Sequence, residues 1–172
     1  MKPFPAVTVA VVAAVFVLAQ PVMAADNLAA RLRGLEEVPS VSTPGQGFFL
    51  GTVNVVGSAI DYSLVYFDLQ GAVREAHIHI AQPGVNGGIV LYLCTNLAPP
   101  AGVPAPPSCP AGPGLNTMGG TLSAAKVVTL TAQGIAAGEF SEVLRAIRAG
   151  KAYVNVHSDL FTAGEIRGQI TQ

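Results

Sequence analysis

The sequence contains no tryptophan, and its other aromatic residues, apart from histidine, are four tyrosines and seven phenylalanines. Aromatic side chains supply the flat, amphipathic surfaces on which ligand rings commonly rest. A saccharide-binding module is therefore an unattractive interpretation of this chain.

Charged residues are also scarce. They make up 11% of the chain, and nine Lys and Arg residues against ten Asp and Glu residues give a formal net charge of −1. Nucleic acids and anionic membranes are bound through clustered basic faces, which this balance does not favour. The expected partner is instead a small ligand or an extracytoplasmic protein.

The longest hydrophobic run, Val7 to Ala19, is shorter than the roughly 20 residues that span a membrane. Lys2 precedes it, and Val22-Met23-Ala24 follows with the small-x-small pattern of a cleavage site. The pattern predicts a secretory signal peptide at residues 1–24 and one exported, periplasmic or secreted domain at residues 25–172, with no membrane span. A retained anchor helix is the alternative.

Only two cysteines are present, Cys94 and Cys109, which argues against a cysteine-ligated zinc site. They bracket a loop with five prolines, which excludes helix and interior strand there. Because exported proteins meet oxidising conditions, we expect a Cys94–Cys109 disulfide, and two reduced thiols are the alternative. Closing such a loop stabilises a fold by about 3 kcal/mol in the chain-entropy description.

Most of the chain from residue 25 onward alternates apolar and polar residues with the period of two that is typical of strands. Strands are predicted at residues 29–33, 46–55, 60–67, 74–80, 89–93, 127–131, 151–157 and 165–171. From Gly138 to Ala149 the apolar residues instead recur at helical spacing, and Gly150 is placed to end a helix. Together these features predict an all-β, Greek-key, immunoglobulin-like β-sandwich with one short helix, or a barrel as second choice.

The three histidines of the chain lie in two of these predicted strands. His77 and His79 are two residues apart and therefore share one face, and His157 ends a later strand. If the strands are neighbours, the three imidazoles share the polar face opposite the aliphatic residues and can bind one copper or zinc ion, with copper bound more tightly. Asp159 or Glu165 is a weaker candidate for a fourth ligand. The alternative is that the histidines are ordinary polar residues of a sheet face.

Three motifs resemble the chordin-type (CHRD) domain over about residues 29–171. They are Glu36-Glu37-Val38-Pro39, Ala76-His77-Ile78-His79, and the stretch from Gly150 to His157 that is followed by Gly164-Glu165-Ile166-Arg167-Gly168-Gln169-Ile170. The resemblance implies an exported or extracellular domain. It defines no reaction, because the activity of this family is poorly defined.

The order His77, His79, His157 and Gly164-Glu165-Ile166-Arg167 is also similar to copper/zinc superoxide dismutases, whose sandwich fold carries a His-x-His strand and a later histidine as copper ligands. This similarity implies one copper ion, with Arg167 as an anion guide. The chain lacks the fourth, bridging histidine, the zinc ligands and a cysteine near Arg167, so the zinc half of that site is missing.

Three functions remain open from the sequence. The favoured one is a non-enzymatic CHRD binding module whose histidines hold one transition-metal ion. The others are a copper-dependent oxidoreductase resembling superoxide dismutase, and a structural or interaction domain that binds no metal. No nucleophilic triad is expected, because all three histidines are already assigned and no serine lies in a sharp glycine-flanked turn.

Overall fold

A computed structural model describes residues 25–99, 102–103, 105–112 and 114–172, so the predicted signal peptide at residues 1–24 lies outside the described part. The strands are β1 (Asn27–Arg33), β2 (Gln46–Val53), β3 (Ala59–Phe67), β4 (Val73–Ile80), β5 (Gly88–Thr95), β6 (Asn116–Ser123), β7 (Ala152–Ser158) and β8 (Ile166–Gln169). One α-helix, α1 (Phe140–Arg148), lies between β6 and β7. No helix in these ranges is long and apolar enough to cross a membrane.

The eight strands form one sheet in the order β5-β4-β7-β8-β1-β2-β3-β6, with every neighbouring pair antiparallel. The sheet curls around a single apolar core. A contact between strands near its two ends demonstrates this: Tyr62 on β3 donates a hydrogen bond of 2.9 Å to the Leu93 carbonyl on β5. The predicted all-β class with one helix is confirmed. The division into two facing Greek-key sheets stays a prediction.

The hairpin of β2 and β3 follows directly from the alternation of the sequence. Every second residue of each strand is buried, and Phe49 pairs with Leu64 in the middle of the ladder. The Asn54 side chain accepts a hydrogen bond of 2.8 Å from the Ser58 amide and so closes the turn. This hairpin was predicted from the sequence and is confirmed.

Helix α1 lies where helical spacing predicts it. Its buried residues are Phe140, Val143, Leu144 and Ile147, which form one apolar stripe against the core. Gly150 adopts a φ of 66°, a left-handed conformation that glycine accepts without steric cost, and the chain then enters β7.

The strands predicted from the sequence need correction at two places: one predicted strand is absent and one observed strand was not predicted. Residues 127–131 form no regular strand, since only Leu130 makes an isolated bridge, to Ile135, before a 3-10 turn. Strand β6 was missed because Gly119 and Gly120 lower strand propensity. Glycine is required at 119, where a Cβ would lie 2.6 Å from the Tyr62 carbonyl oxygen on β3.

The Cys94–Cys109 disulfide is confirmed. It joins the end of β5 to the segment that leads into β6, and both cysteines belong to the buried core. The Asn96 side chain reinforces the connection, because its amide oxygen accepts from the Cys109 amide at 3.0 Å and its nitrogen donates to the Cys109 carbonyl at 3.2 Å.

Candidate metal centre

The three histidines meet because β4 and β7 are hydrogen-bonded neighbours. The register pairs His79 with Tyr153, His77 with Asn155, and Glu75 with His157. Side chains of directly paired residues lie on the same face of a sheet, so all three imidazoles project to one side. One ring nitrogen from each histidine lies within 4.8 Å of the other two.

The face that carries the histidines is buried, which differs from the polar outer face expected from the sequence. His77 is fully buried, and His79 and His157 are only 7% and 8% exposed. Loops cover the face, because the Gly87 and Thr162 carbonyls contact two of the imidazoles directly. Strand periodicity identifies the shared face but contains no information about loops that fold over it.

Two of the imidazoles have their tautomer set by the backbone. His79 Nδ1 lies 2.9 Å from the Gly87 carbonyl oxygen, and His157 Nδ1 lies 3.0 Å from that of Thr162. A carbonyl oxygen only accepts hydrogen bonds, so Nδ1 carries the proton in each neutral ring and Nε2 presents a lone pair. Both Nε2 atoms are buried and have no hydrogen-bond partner.

His77 has a carboxylate neighbour instead of a carbonyl. Its Nε2 lies 3.3 Å from Glu75 Oε2, a long contact that lacks the geometry of a well-formed hydrogen bond. His77 Nδ1 is buried without a partner. Contact with His77 is the largest cause that lowers the pKa of the Glu75 carboxyl, which therefore remains an ionised acceptor beside the ring.

Burial keeps the other two imidazoles neutral. Desolvation lowers the pKa of His79 to about 3 and that of His157 to about 4, and in both cases the nearby His77 acts in the same direction. Neutral imidazole is the form that binds a metal ion.

An aromatic stack supports one side of the cluster. The Tyr153 ring lies nearly parallel to the His79 ring, at 5° and 4.7 Å between centroids. On the Tyr153 ring lies the guanidinium group of Arg167, whose central carbon is 3.4 Å from the centroid. Tyr92 contacts His77 edge-on at 4.5 Å. These contacts restrict ring rotation at His77 and His79.

Arg167 lies on the Tyr153 ring beside the cluster and is turned inward. It is 2% exposed, and its guanidinium nitrogens donate to the Asn86 side-chain oxygen at 2.9 Å and the Val85 carbonyl at 2.8 Å. This burial weighs against the anion-guide role, which needs a charge open to solvent. Its observed contacts make Arg167 a support for Tyr153 and for the loop at residues 85–86.

Asn155 adds a fourth buried acceptor near the imidazoles. It lies between His77 on β4 and Arg167 on β8 in the register, is 2% exposed, and its Oδ1 has no hydrogen-bond partner. Buried polar atoms are normally paired, because an unpaired one costs about 1–3 kcal/mol. Several buried acceptors without a hydrogen-bond partner in one place are what a bound cation would satisfy.

The two acidic residues considered as a fourth ligand lie elsewhere. Asp159 accepts a hydrogen bond from the Ala72 amide at 2.8 Å, and the Glu165 carboxylate accepts from Thr43 at 2.7 Å and from the Gln70 amide at 2.6 Å. Neither belongs to the histidine cluster. Sequence reasoning overlooked Glu75, although its position two residues before His77 on the same strand was a usable signal.

Comparison with known proteins agrees with the motifs. Searches of curated proteins and of solved structures each find no match to this chain. The family model described as "CHRD domain" matches residues 28–170, a range that includes all eight strands except the first residue of β1, as well as the histidine cluster. The chain therefore belongs to the CHRD domain family.

Proposed function

We propose that this CHRD domain is an exported binding module that holds one mononuclear transition-metal ion through His77, His79 and His157. One observation carries the proposal: three buried ring nitrogens converge within 4.8 Å, and each histidine has a buried nitrogen without a hydrogen-bond partner. Metal–nitrogen bonds of about 2 Å require the nitrogens to be closer together, so we expect the rings to move inward when the ion binds.

The polar contacts of the three rings support one choice of ligand atoms. His79 and His157 would bind through Nε2, because their Nδ1 atoms are held by backbone carbonyls. His77 would bind through Nδ1, because its Nε2 faces the Glu75 carboxylate. A metal-bound histidine almost always donates its other ring N–H to a carboxylate or carbonyl, which orients the ring and raises its basicity.

Copper is the metal that this donor set favours. Three neutral imidazoles suit copper and zinc, whereas Mg²⁺ and Ca²⁺ require mainly oxygen ligands. Among divalent ions of the first transition row, Cu²⁺ binds most tightly to a given nitrogen site.

Export is supported by two independent features. Residues 1–24 have the pattern of a secretory signal peptide, and the Cys94–Cys109 disulfide is of the kind that persists in oxidising compartments. The disulfide also makes a reducing cytoplasm an unfavourable location for the folded protein.

The test is a Cu²⁺ titration of residues 25–172, prepared without a histidine tag, with electron paramagnetic resonance as the readout of nitrogen ligation. We expect one ion per chain, and we expect His77→Ala to lower its affinity by at least about 100-fold, more than the loss of a supporting residue would. Tyr92→Phe is the matched control, because it keeps the ring against His77 and removes only a hydroxyl. Binding that His77→Ala leaves unchanged would exclude this site.

A redox activity like that of copper superoxide dismutase is the second candidate. The observation in its favour is that three ligands leave coordination positions open, beside a Glu75 side chain that is 23% exposed. Superoxide removal by the copper-loaded protein, measured against free copper at the same concentration, tests it. A rate no greater than that of free copper would exclude the redox activity and leave the binding module as the proposed function.

A further inference from the structure

A second polar feature lies in a cleft of about 340 Å³ between two loops, one of which also contributes the Thr162 carbonyl that contacts His157. One wall is residues 37–41, which follow β1, and the other is residues 160–164, which connect β7 to β8. Its lining is mainly apolar, with Val38, Pro39, Leu160 and Phe161 among the contributors. Glu37 is the only ionisable residue among the described residues of this lining.

Glu37 is buried, and the backbone of Val38 and the charge of Arg167 compensate its carboxylate only in part. The residue is 5% exposed, and its Oε1 makes no hydrogen bond. None of the salt bridges in the described part of the chain includes it. A buried carboxylate with an oxygen left unpaired is disfavoured unless a cation or a further hydrogen-bond donor reaches it.

Arg167 is the cation whose charge acts on Glu37, but its guanidinium group already has other partners. Its guanidinium group donates to Asn86 and Val85 and lies on the Tyr153 ring. The Asn86 side chain in turn donates to the Val38 carbonyl at 2.8 Å, so this arrangement fixes the loop beside Glu37. Arg167 therefore attracts Glu37 through space without forming an ion pair with it.

The opposite wall leaves room for the carboxylate. Gly164 adopts a φ of 129°, and a Cβ at this position would collide with the Glu37 carboxyl group. Only glycine permits this approach, since it lacks a Cβ and tolerates a positive φ. The close contact holds the carboxyl group in place at the wall of the cleft.

We infer that this cleft binds a primary alkylammonium group, with the ammonium on the Glu37 carboxylate and the aliphatic stem along Val38, Pro39 and Leu160. The ammonium supplies three donors and the positive charge that the carboxylate lacks. An anion would be repelled, and a metal ion would find only one charged ligand among the described residues of the lining. The site does not depend on the proposed metal centre.

Two sources can supply this chemistry: a free small amine, or the lysine side chain of a protein partner. Both present an ammonium on a chain of about four carbons. The probes are n-butylammonium for the free amine and N-acetyl-lysine methylamide for the protein-borne group. 1-Butanol, which has the same stem without the charge, is the matched control probe.

The experiment is a chemical-shift titration of residues 25–172, labelled with ¹⁵N, in EDTA at pH 8. We expect both ammonium probes to shift the amide resonances of residues 37–41 and 160–164. The affinity of each should be at least tenfold higher than that of 1-butanol. Tighter binding of the lysine probe would identify a protein partner as the source, and tighter binding of n-butylammonium a free amine. Equal binding of 1-butanol and n-butylammonium would overturn the proposal.

Variants test the same proposal at the residue. Glu37→Gln keeps the shape of the side chain and is expected to lower the affinity for n-butylammonium at least tenfold. Glu36→Gln, at the exposed neighbouring position, is expected to leave this affinity unchanged. Ala163→Trp fills the cleft from its exposed rim without altering Glu37, and it should also abolish binding. Wild-type affinity in folded Glu37→Gln or Ala163→Trp would refute the site, whatever the outcome of the copper titration.

Discussion

At the level of single residues, Glu37 makes the stability of the fold depend on pH. Burial raises the pKa of this carboxyl to about 7, against the opposing attraction of Arg167. The folded protein therefore holds the Glu37 proton more tightly than the unfolded chain does, for which the pKa is 4.5. By linkage, this residue reduces the free energy of unfolding as the pH rises from about 4.5 to about 7.

We predict that Glu37→Gln removes this pH dependence. Relative to wild type, the variant should gain up to about 3 kcal/mol in free energy of unfolding between pH 4 and pH 8, since each pKa unit corresponds to about 1.4 kcal/mol. Urea denaturation across this range measures the difference, in which the contributions of the three unchanged histidines cancel. Glu36→Gln serves as the control, and a constant separation between the Glu37→Gln and wild-type curves would contradict the prediction.

Tyr153 is the residue whose replacement separates packing from hydrogen bonding at the metal centre. Its ring lies between His79 and Arg167, and its hydroxyl oxygen accepts only a weak bond of 3.3 Å from the Gly87 amide. An aromatic pair is worth about 0.5–1.5 kcal/mol. We predict that Tyr153→Leu lowers Cu²⁺ affinity about tenfold and that Tyr153→Phe changes it by less than about threefold, as measured by competition with a chelator. Equal losses in both variants would show that the hydroxyl group is the important part.

The sequence predicted which face of each strand carries the histidines, because this information is local, whereas the adjacency of β4 and β7 was only a condition of the prediction. Alternation along a strand puts His77 and His79 on one face, and the aliphatic residues of β7 orient His157 in the same way. The partners that make the cluster distinctive are contributed by loops: the carbonyls of Gly87 and Thr162, and Asn86 beside Arg167. Loop conformation depends on tertiary contacts, which a periodicity argument does not contain.

At the level of elements, α1 supports the sheet from outside the metal centre. Leu144 is 2% exposed within the apolar stripe of this helix. Truncating a buried leucine to alanine leaves a cavity and typically costs 2–5 kcal/mol. We predict that Leu144→Ala lowers the free energy of unfolding by about 3 kcal/mol in chemical denaturation while the Cu²⁺ stoichiometry stays at one per chain. A loss of copper binding in the folded variant would show that helix packing and the histidine cluster are coupled.

The elements also show where sequence patterns fail. The β2–β3 hairpin and α1 were predicted because their apolar periodicity agrees with their burial. Strand β6 carries the opposite signal, since Gly119, the first of its two adjacent glycines, is needed for close contact with β3 rather than for a turn. Residues 127–131 are each apolar or β-branched. They nevertheless form no regular strand and contact the edge of β5 through a hydrogen bond of 2.9 Å from the Val128 amide to the Val90 carbonyl.

At the level of the whole molecule, the segment after β5 joins the two ends of the sheet order. Strand β5 is one edge and β6 the other, and the chain between them contains the disulfide. The Thr95 amide donates to the Pro107 carbonyl at 2.9 Å, and the Tyr66 hydroxyl on β3 donates to that of Pro110 at 2.6 Å. The segment is thus attached to strands from both ends of the sheet.

We predict that replacing both cysteines with alanine lowers the free energy of unfolding by about 3 kcal/mol, because the disulfide closes a loop with a sequence separation of 15. The histidines lie on β4 and β7, and the hydrogen-bonded pairing of these two strands does not involve either cysteine. The Cu²⁺ affinity of the folded double variant should therefore remain within about threefold of wild type. Urea denaturation and the copper titration measure the two quantities. Parallel loss of both would mean that the disulfide acts on the arrangement of β4 and β7 as well as on the unfolded chain.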